Sequence, residues 1–323
     1  MAVTETRHSE PDSLNASAAF AHATAVIRKA PERALAIALW EYGLFCALNL
    51  AAILAFPVLV QVQVSGPEAM NPAMMPAIMA AQGLLALGSL IVVVLVEPAW
   101  QRLYARGETG DRFLFRIGPD EGRFGLAILT QLGLGVGFWI VAAIAGGLVY
   151  GAVALTQDAG PILSVLVPTI AAILAVPPAL AVLLFVICLS LPLFAGMVAR
   201  QDFNPFGHAR AALKALLPTG RIVGYFILTC IAVLVGVGLI TLPFRLLFML
   251  FSGEETNRVI AALSMLLTFV SSLFIHFVVA NLSRGIGAYL ALHFSGRTNP
   301  LLADASGPET APGAAPTVAR NDG

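Results

Sequence analysis

Charge is scarce in this sequence. Of 323 residues, 11% are Asp, Glu, Lys or Arg and 59% are hydrophobic, whereas soluble domains carry about 25% charged residues. A chain this poor in polar surface cannot cover a globule in water, which excludes the soluble classes. Lysine is nearly missing: Lys29 and Lys214 are the only two, and every other cation is an arginine. Cysteine is rare as well. Cys46, Cys188 and Cys230 stand singly inside apolar runs, with no spacing for a disulfide framework or a metal site. Alternating segments of about ten residues, the mark of a transmembrane β-barrel, are also lacking. There is no Walker A loop, no GxSxG, no HExxH and no paired CxxC. No enzyme class, cofactor or metal is therefore indicated. Gly133-Leu134-Gly135-Val136-Gly137 lies inside an apolar run, without the strand and helix start of a dinucleotide site, and reads as helix packing, as do Gly147 and Gly151.

What is present is a series of apolar runs, several longer than the roughly 18–20 residues needed to cross a bilayer core. They predict an all-α polytopic membrane protein with six transmembrane helices. The spans fall near 34–60, 75–96, 124–155, 162–199, 222–247 and 259–280. The fourth, interrupted by Pro168, Pro177, Pro178 and Pro192, is expected to be bent or broken, because proline removes a backbone donor. Residues 1–14 and 295–323 are polar or rich in Gly, Pro, Ala and Ser, and read as disordered tails around one domain, 15–294. Met1–Leu14 lacks an apolar h-region, so the start does not read as a secretory signal. The stretch 101–123, charged but interleaved with Phe113, Phe115 and Ile117, is expected along the membrane surface.

Arginines recur before the first, third and fifth spans and after the sixth. The opposite loops hold only Arg245 and Arg258, beside Glu254 and Glu255. The positive-inside rule then places both termini in the cytoplasm of a bacterial inner-membrane protein. Residues 15–30 read as an interfacial amphipathic helix, with Phe20, Ala23, Thr24 and Ile27 on its apolar face. Arg28, Lys29, Arg116, Arg123, Arg210, Lys214 and Arg221 are the expected contacts to anionic lipid headgroups of the cytoplasmic leaflet.

Phe20-Ala21-His22-Ala23, followed by Arg28, Pro31 and Arg33, parallels Phe206-Gly207-His208-Ala209, followed by Lys214, Pro218 and Arg221. Phe115, Arg116, Pro119 and Arg123 repeat the pattern without the histidine. Three units, 15–106, 107–201 and 202–294, each an interfacial helix plus a transmembrane hairpin, follow from this parallel. Chance likeness between basic span starts is the plainer alternative.

Ala211 and Leu213-Lys214-Ala215-Leu216-Leu217, leading through Thr219-Gly220-Arg221 into a span, resemble uncharacterised six-helix bacterial inner-membrane families. So does Phe115-Arg116-Ile117-Gly118-Pro119-Asp120-Glu121, which looks like a signature of alphaproteobacterial members. Those families are similar to the membrane domain attached to some glycerophosphodiester phosphodiesterases. The resemblance implies the six-helix fold and no activity, since the catalytic domain is absent.

The candidate site residues are the polar ones within spans: Glu41, Asn49, Gln131, His276 and Asn281. A charge at mid-bilayer costs about 2.5–3.5 kcal/mol on insertion scales. Glu41 therefore calls for a partner such as Arg33 or Arg284, or else a water-filled cavity in which it handles a proton or substrate. Asn49 and Gln131 suit interhelical hydrogen bonds, and His276 suits packing. Asp120 and Glu121, flanked by Arg116 and Arg123, read as ion-paired carboxylates. Two functions follow: a non-enzymatic scaffold for other membrane components or, alternatively, a small-molecule or lipid transporter with a cavity near Glu41, Asn49 and His276.

Overall fold

The structure, a computed structural model, describes residues 14–56, 74–110, 118–157, 159–250 and 257–303, and these are helical with no strand. The expected tails up to residue 13 and beyond 303, most of the loop around Ser65, and Phe113, Phe115, Arg116 and Ile117 lie outside the described residues. In chain order the helices are α1 (Ala16–Lys29), α2 (Pro31–Ala55), α3 (Met75–Gln101), α4 (Pro119–Thr156), α5 (Pro161–Ser190), α6 (Leu193–Arg200), α7 (Pro205–Lys214), α8 (Leu216–Leu250), α9 (Asn257–Ser295) and α10 (Pro300–Ala303). A π-helical turn, Arg102–Arg106, continues α3.

Proline starts these helices where its missing N–H costs nothing: Pro31, Pro119, Pro161 and Pro205 all stand in a first turn. Asn15 and Asn204 cap α1 and α7, their side chains accepting from Ser17 N and Gly207 N. The π turn ends at Gly107, whose φ of 65° is left-handed. Six helical stretches are long and apolar enough to cross a membrane: Pro31–Ala55, Met75–Arg106, Pro119–Thr156, Pro161–Arg200, Leu216–Phe244 and Leu266–Ser295. They pack as antiparallel neighbours, α2 on α3, α4 on α5 and α8 on α9.

Several expectations shift. The fourth span is broken, as expected, but at only one of its four prolines: Pro168, Pro177 and Pro178 stay inside the continuous helix α5, and the break comes at Leu191–Pro192, where α6 begins. The start of the charged stretch does not lie on the surface: Arg102, Leu103, Tyr104 and Ala105 are buried. Residues 295–303 are not a loose tail, since Asn299 is 2% exposed and donates to the Leu103 and Tyr104 carbonyls at 3.2 and 2.7 Å. Helix α1 buries Ala19, His22, Ala23 and Val26 rather than the face centred on Phe20 and Thr24. The reason is α9: Gly285 leaves no room for a Cβ beside the Ala23 backbone, so the two helices cross in direct contact. Gly133, Gly135, Gly137, Gly147 and Gly151 instead face open space. Close approaches between helices include Gly88 against Leu48, Gly196 against His208, Gly285 against Ala23 and Gly287 against the Leu191 carbonyl.

Burial is concentrated at one end of the bundle. The main core joins Val26, Ile37, Val96, Trp100, Tyr104, Phe124, Leu193, Met197 and Leu292, drawn from the ends of α1 to α4, from α6 and from α9. Over the rest of α4 and α5 large apolar side chains point outward, as with Trp139, Leu155 and Ile162.

Candidate functional site

Several polar residues of the spans gather at that packed end, where α2, α3 and α9 meet. On α9, Phe277, Asn281 and Arg284 share a face at i, i+4 and i+7. On α3, Glu97, Trp100 and Tyr104 do the same at i, i+3 and i+7. Glu41 of α2 closes the group and is 3% exposed. Its Oε2 accepts from Trp100 Nε1 at 2.8 Å and from Arg284 Nη1 at 3.2 Å. Its Oε1 accepts from Arg284 Nη2 at 2.9 Å and lies 3.3 Å from His276 Nε2. Arg284 also donates from Nε to Glu97 Oε2 at 2.8 Å, and the other Glu97 oxygen accepts from Gln101 Nε2 at 2.9 Å. The guanidinium lies over the Trp100 ring, 5.1 Å from its centroid.

Two carboxylates share one guanidinium, so the cluster is one positive charge short. The His276 ring lies half-exposed at the edge of the cluster. A buried ion pair survives in a low dielectric only when its remaining lone pairs and protons are bonded. Here all four carboxylate oxygens are engaged. The arrangement clamps three helices.

Tyr104 extends the network. Its hydroxyl donates to Asn281 Oδ1 at 3.2 Å, and Asn281 Nδ2 donates to the Phe277 carbonyl at 2.8 Å. Tyr104 stands in the last turn of the π segment, where helix carbonyls run out of intrahelical partners. Tyr104 O takes His22 Nε2 at 3.2 Å in addition to Asn299. A carbonyl only accepts, so Nε2 carries the His22 proton. Burial pushes the His22 pKa down, and the bond to Tyr104 only partly opposes it.

A second charged cluster borders the first. Asp120 binds Arg106 and Arg123, each at 2.5 Å, and lies 3.6 Å from Arg102. Glu121 binds Arg102 at 3.1 Å and accepts from Gly118 N at 2.8 Å as a helix cap. Arg123 is 8% exposed and also donates to the Gln201 and Asp202 carbonyls, at 2.7 and 3.1 Å. It ties α4 to the turn after α6, so the headgroup role expected for it does not fit its position. Arg28, Lys29, Arg210, Lys214 and Arg221 are exposed, and Arg116 lies outside the described residues.

Of the five candidate residues, the structure brings together Glu41, His276 and Asn281. Asn49 is exposed and turns back to the Phe45 carbonyl of its own helix at 2.8 Å. Gln131 is exposed and reaches the Ser190 carbonyl at 3.4 Å. Glu97, Trp100 and Tyr104 were not singled out in the sequence. Their i, i+3, i+7 spacing is the signal that marks them. Cavities of about 440 Å³ between α1 and the end of α9, about 550 Å³ between α4 and α5, and about 550 Å³ at the α1–α2 junction are not lined by any of the five candidates. Among the described residues no group of three or more His, Cys, Asp or Glu is placed to hold a metal ion. No protein-family model, curated protein or solved structure matches the chain.

Proposed function

We propose that this is a non-enzymatic scaffold of the bacterial inner membrane, a multi-pass protein that holds other membrane components, of the six-helix kind its sequence resembles. Both termini are cytoplasmic, and the packed polar end sits at the level of the cytoplasmic headgroups. The observation that carries the reading is the saturated Glu41–Arg284–Glu97 cluster. A carrier needs a carboxylate that can let go of its partners, and here Trp100, Gln101 and Arg284 occupy every oxygen. The exposed cations Arg28, Lys29, Arg210, Lys214 and Arg221 all belong to this end, which suits the positive-inside rule. The three-unit arrangement is part of the proposal. Its supports are the three hairpins and the two short Asn-capped helices, α1 and α7, each burying a histidine before a span.

The test is cysteine accessibility in native membranes, on a chain whose own cysteines are replaced by serine. A scaffold predicts that Glu41→Cys stays unlabelled by a membrane-impermeant maleimide from either side. Labelling from the aqueous phase would favour the transporter. Reporter fusions at residues 65, 158 and 254 are expected to be active only outside the cytoplasm. Native mass spectrometry of the chain extracted in nanodiscs should show a stoichiometric complex, and a lone monomer would sink the scaffold.

A further inference from the structure

The cavity of about 440 Å³ between α1 and the end of α9 lies outside the ion cluster, and the scaffold reading makes no use of it. A volume of this size suits a small ligand rather than a lone ion. Asn15, His22, Tyr289, His293 and Arg297 give it a polar wall, together with Thr298 and with Asn299, whose amide is committed to the Leu103 and Tyr104 carbonyls, and no carboxylate lines it. Tyr289 and His293 sit at i and i+4 on α9 with rings stacked at 6.3 Å. Arg297 follows in the turn after α9. It is exposed, and one of its terminal nitrogens donates to the Ala199 carbonyl. That bond anchors the side chain and leaves the rest of the guanidinium fork for a ligand. The opposite rim is the first turn of α1, where Asn15 and Ala18 face the cavity with the positive end of a 14-residue helix. The Tyr289 hydroxyl accepts from Asn15 N at 3.4 Å, so its own proton is available.

His22 gives the second half of the argument. It is 8% exposed and lines the cavity. Its Nε2 proton is committed to Tyr104 O, so Nδ1 is an acceptor, and it has no hydrogen-bond partner among the described residues. An acceptor left open on a residue that lines the cavity can take a donor from the ligand. The remaining groups, a guanidinium, a phenol and a helix N-terminus on three different elements, ask for a tetrahedral anion. We propose that this cavity is a binding site for a phosphate ester that carries a hydroxyl group, its phosphate held by Arg297, Tyr289 and the start of α1 and its hydroxyl donating to His22 Nδ1. The same chemistry is presented by a sugar phosphate in solution and by a phosphoglycerol lipid headgroup.

The experiment uses the full chain in detergent and in nanodiscs. In detergent, glucose 6-phosphate is titrated against the intact protein by calorimetry, with methyl phosphate as the probe that lacks an alcohol hydroxyl. In nanodiscs, native mass spectrometry reads retention of phosphatidylglycerol against phosphatidylcholine. Charge-assisted hydrogen bonds predict that Arg297→Gln weakens binding on the order of tenfold or more. Arg210→Gln, an exposed arginine outside this cavity, should leave it unchanged. Saturable glucose 6-phosphate binding lost in Arg297→Gln assigns a free ester, and selective phosphatidylglycerol retention lost in that variant assigns a lipid. Methyl phosphate binding as tightly as glucose 6-phosphate overturns the hydroxyl contact to His22. A folded wild-type protein that saturates with neither probe, or that both arginine variants weaken equally, overturns the site. None of these readouts depends on a partner protein, so the site and the scaffold can fail separately.

Discussion

At one end of the bundle Trp100, Arg102, Tyr104 and Leu193 are almost wholly sealed, while at the other Trp139, Leu155 and Ile162 are 70%, 86% and 77% exposed. The same kinds of helix build both regions, and what differs is the solvent each is made for. The packed end holds itself together with ion clusters, caps and glycine contacts. The open region carries apolar side chains that hydrocarbon solvates as well as another helix would, so little drives its helices together. Stability in this protein is therefore local, and substitutions at the two ends should differ in kind.

The sharpest break is Arg284→Ala, which leaves Glu41 and Glu97 buried without their cation. Removing one member of a buried pair costs about 3–5 kcal/mol, enough to abolish a monodisperse peak in size-exclusion chromatography. Next is Gly285→Leu, which drives a side chain into the Ala23 backbone. Overpacking of this kind costs about 1–3 kcal/mol, and hydrogen exchange should show α1 losing protection ahead of the rest.

A smaller effect is set by pH. Burial holds the His22 pKa below its ordinary 6.5. Below pH 6.5 the unfolded chain takes up a proton that the folded ring refuses, so this contribution to stability is complete above 6.5 and is lost as the pH falls toward the folded value. Thermal melts at pH 7.5 and 5.5 should show a lower midpoint in acid, and His22→Gln should flatten the difference. The smallest change belongs to the open region. Gly135→Ala meets empty space and should move the melting free energy by no more than about 0.5 kcal/mol. A large loss there would erase the contrast between the two ends.

The spans were legible because hydrocarbon demands some twenty apolar residues in a row, and that pattern is written locally. Glu41 was legible as a problem, and Arg284 as one of two possible answers, since a buried acid needs a cation. The rest depended on which helix faces meet. Arg102 looked like an interface arginine because arginine beside a span usually is one, yet Asp120 and Glu121 draw it inside. The glycines of α4 looked like a packing seam because small residues permit close approach. Permission is not contact, and among the glycines that do touch a neighbouring helix, Gly285 and Gly287 stand beside Arg284. Asn299 was hidden in a stretch of Gly, Pro and polar residues, where composition says nothing of a docking carbonyl such as Tyr104 O.

The ion cluster also imposes a schedule on synthesis. Glu97 and Arg284 are separated by 187 residues. At about 5–20 residues per second, Glu97 leaves the ribosome about 10–40 s before its cation does. Over that interval the first hairpin carries two acids, Glu41 and Glu97, with no Arg284 to meet them. The hairpin must be shielded or kept near the headgroups by the insertion machinery, and the arrival of the sixth span is the event that lets it settle.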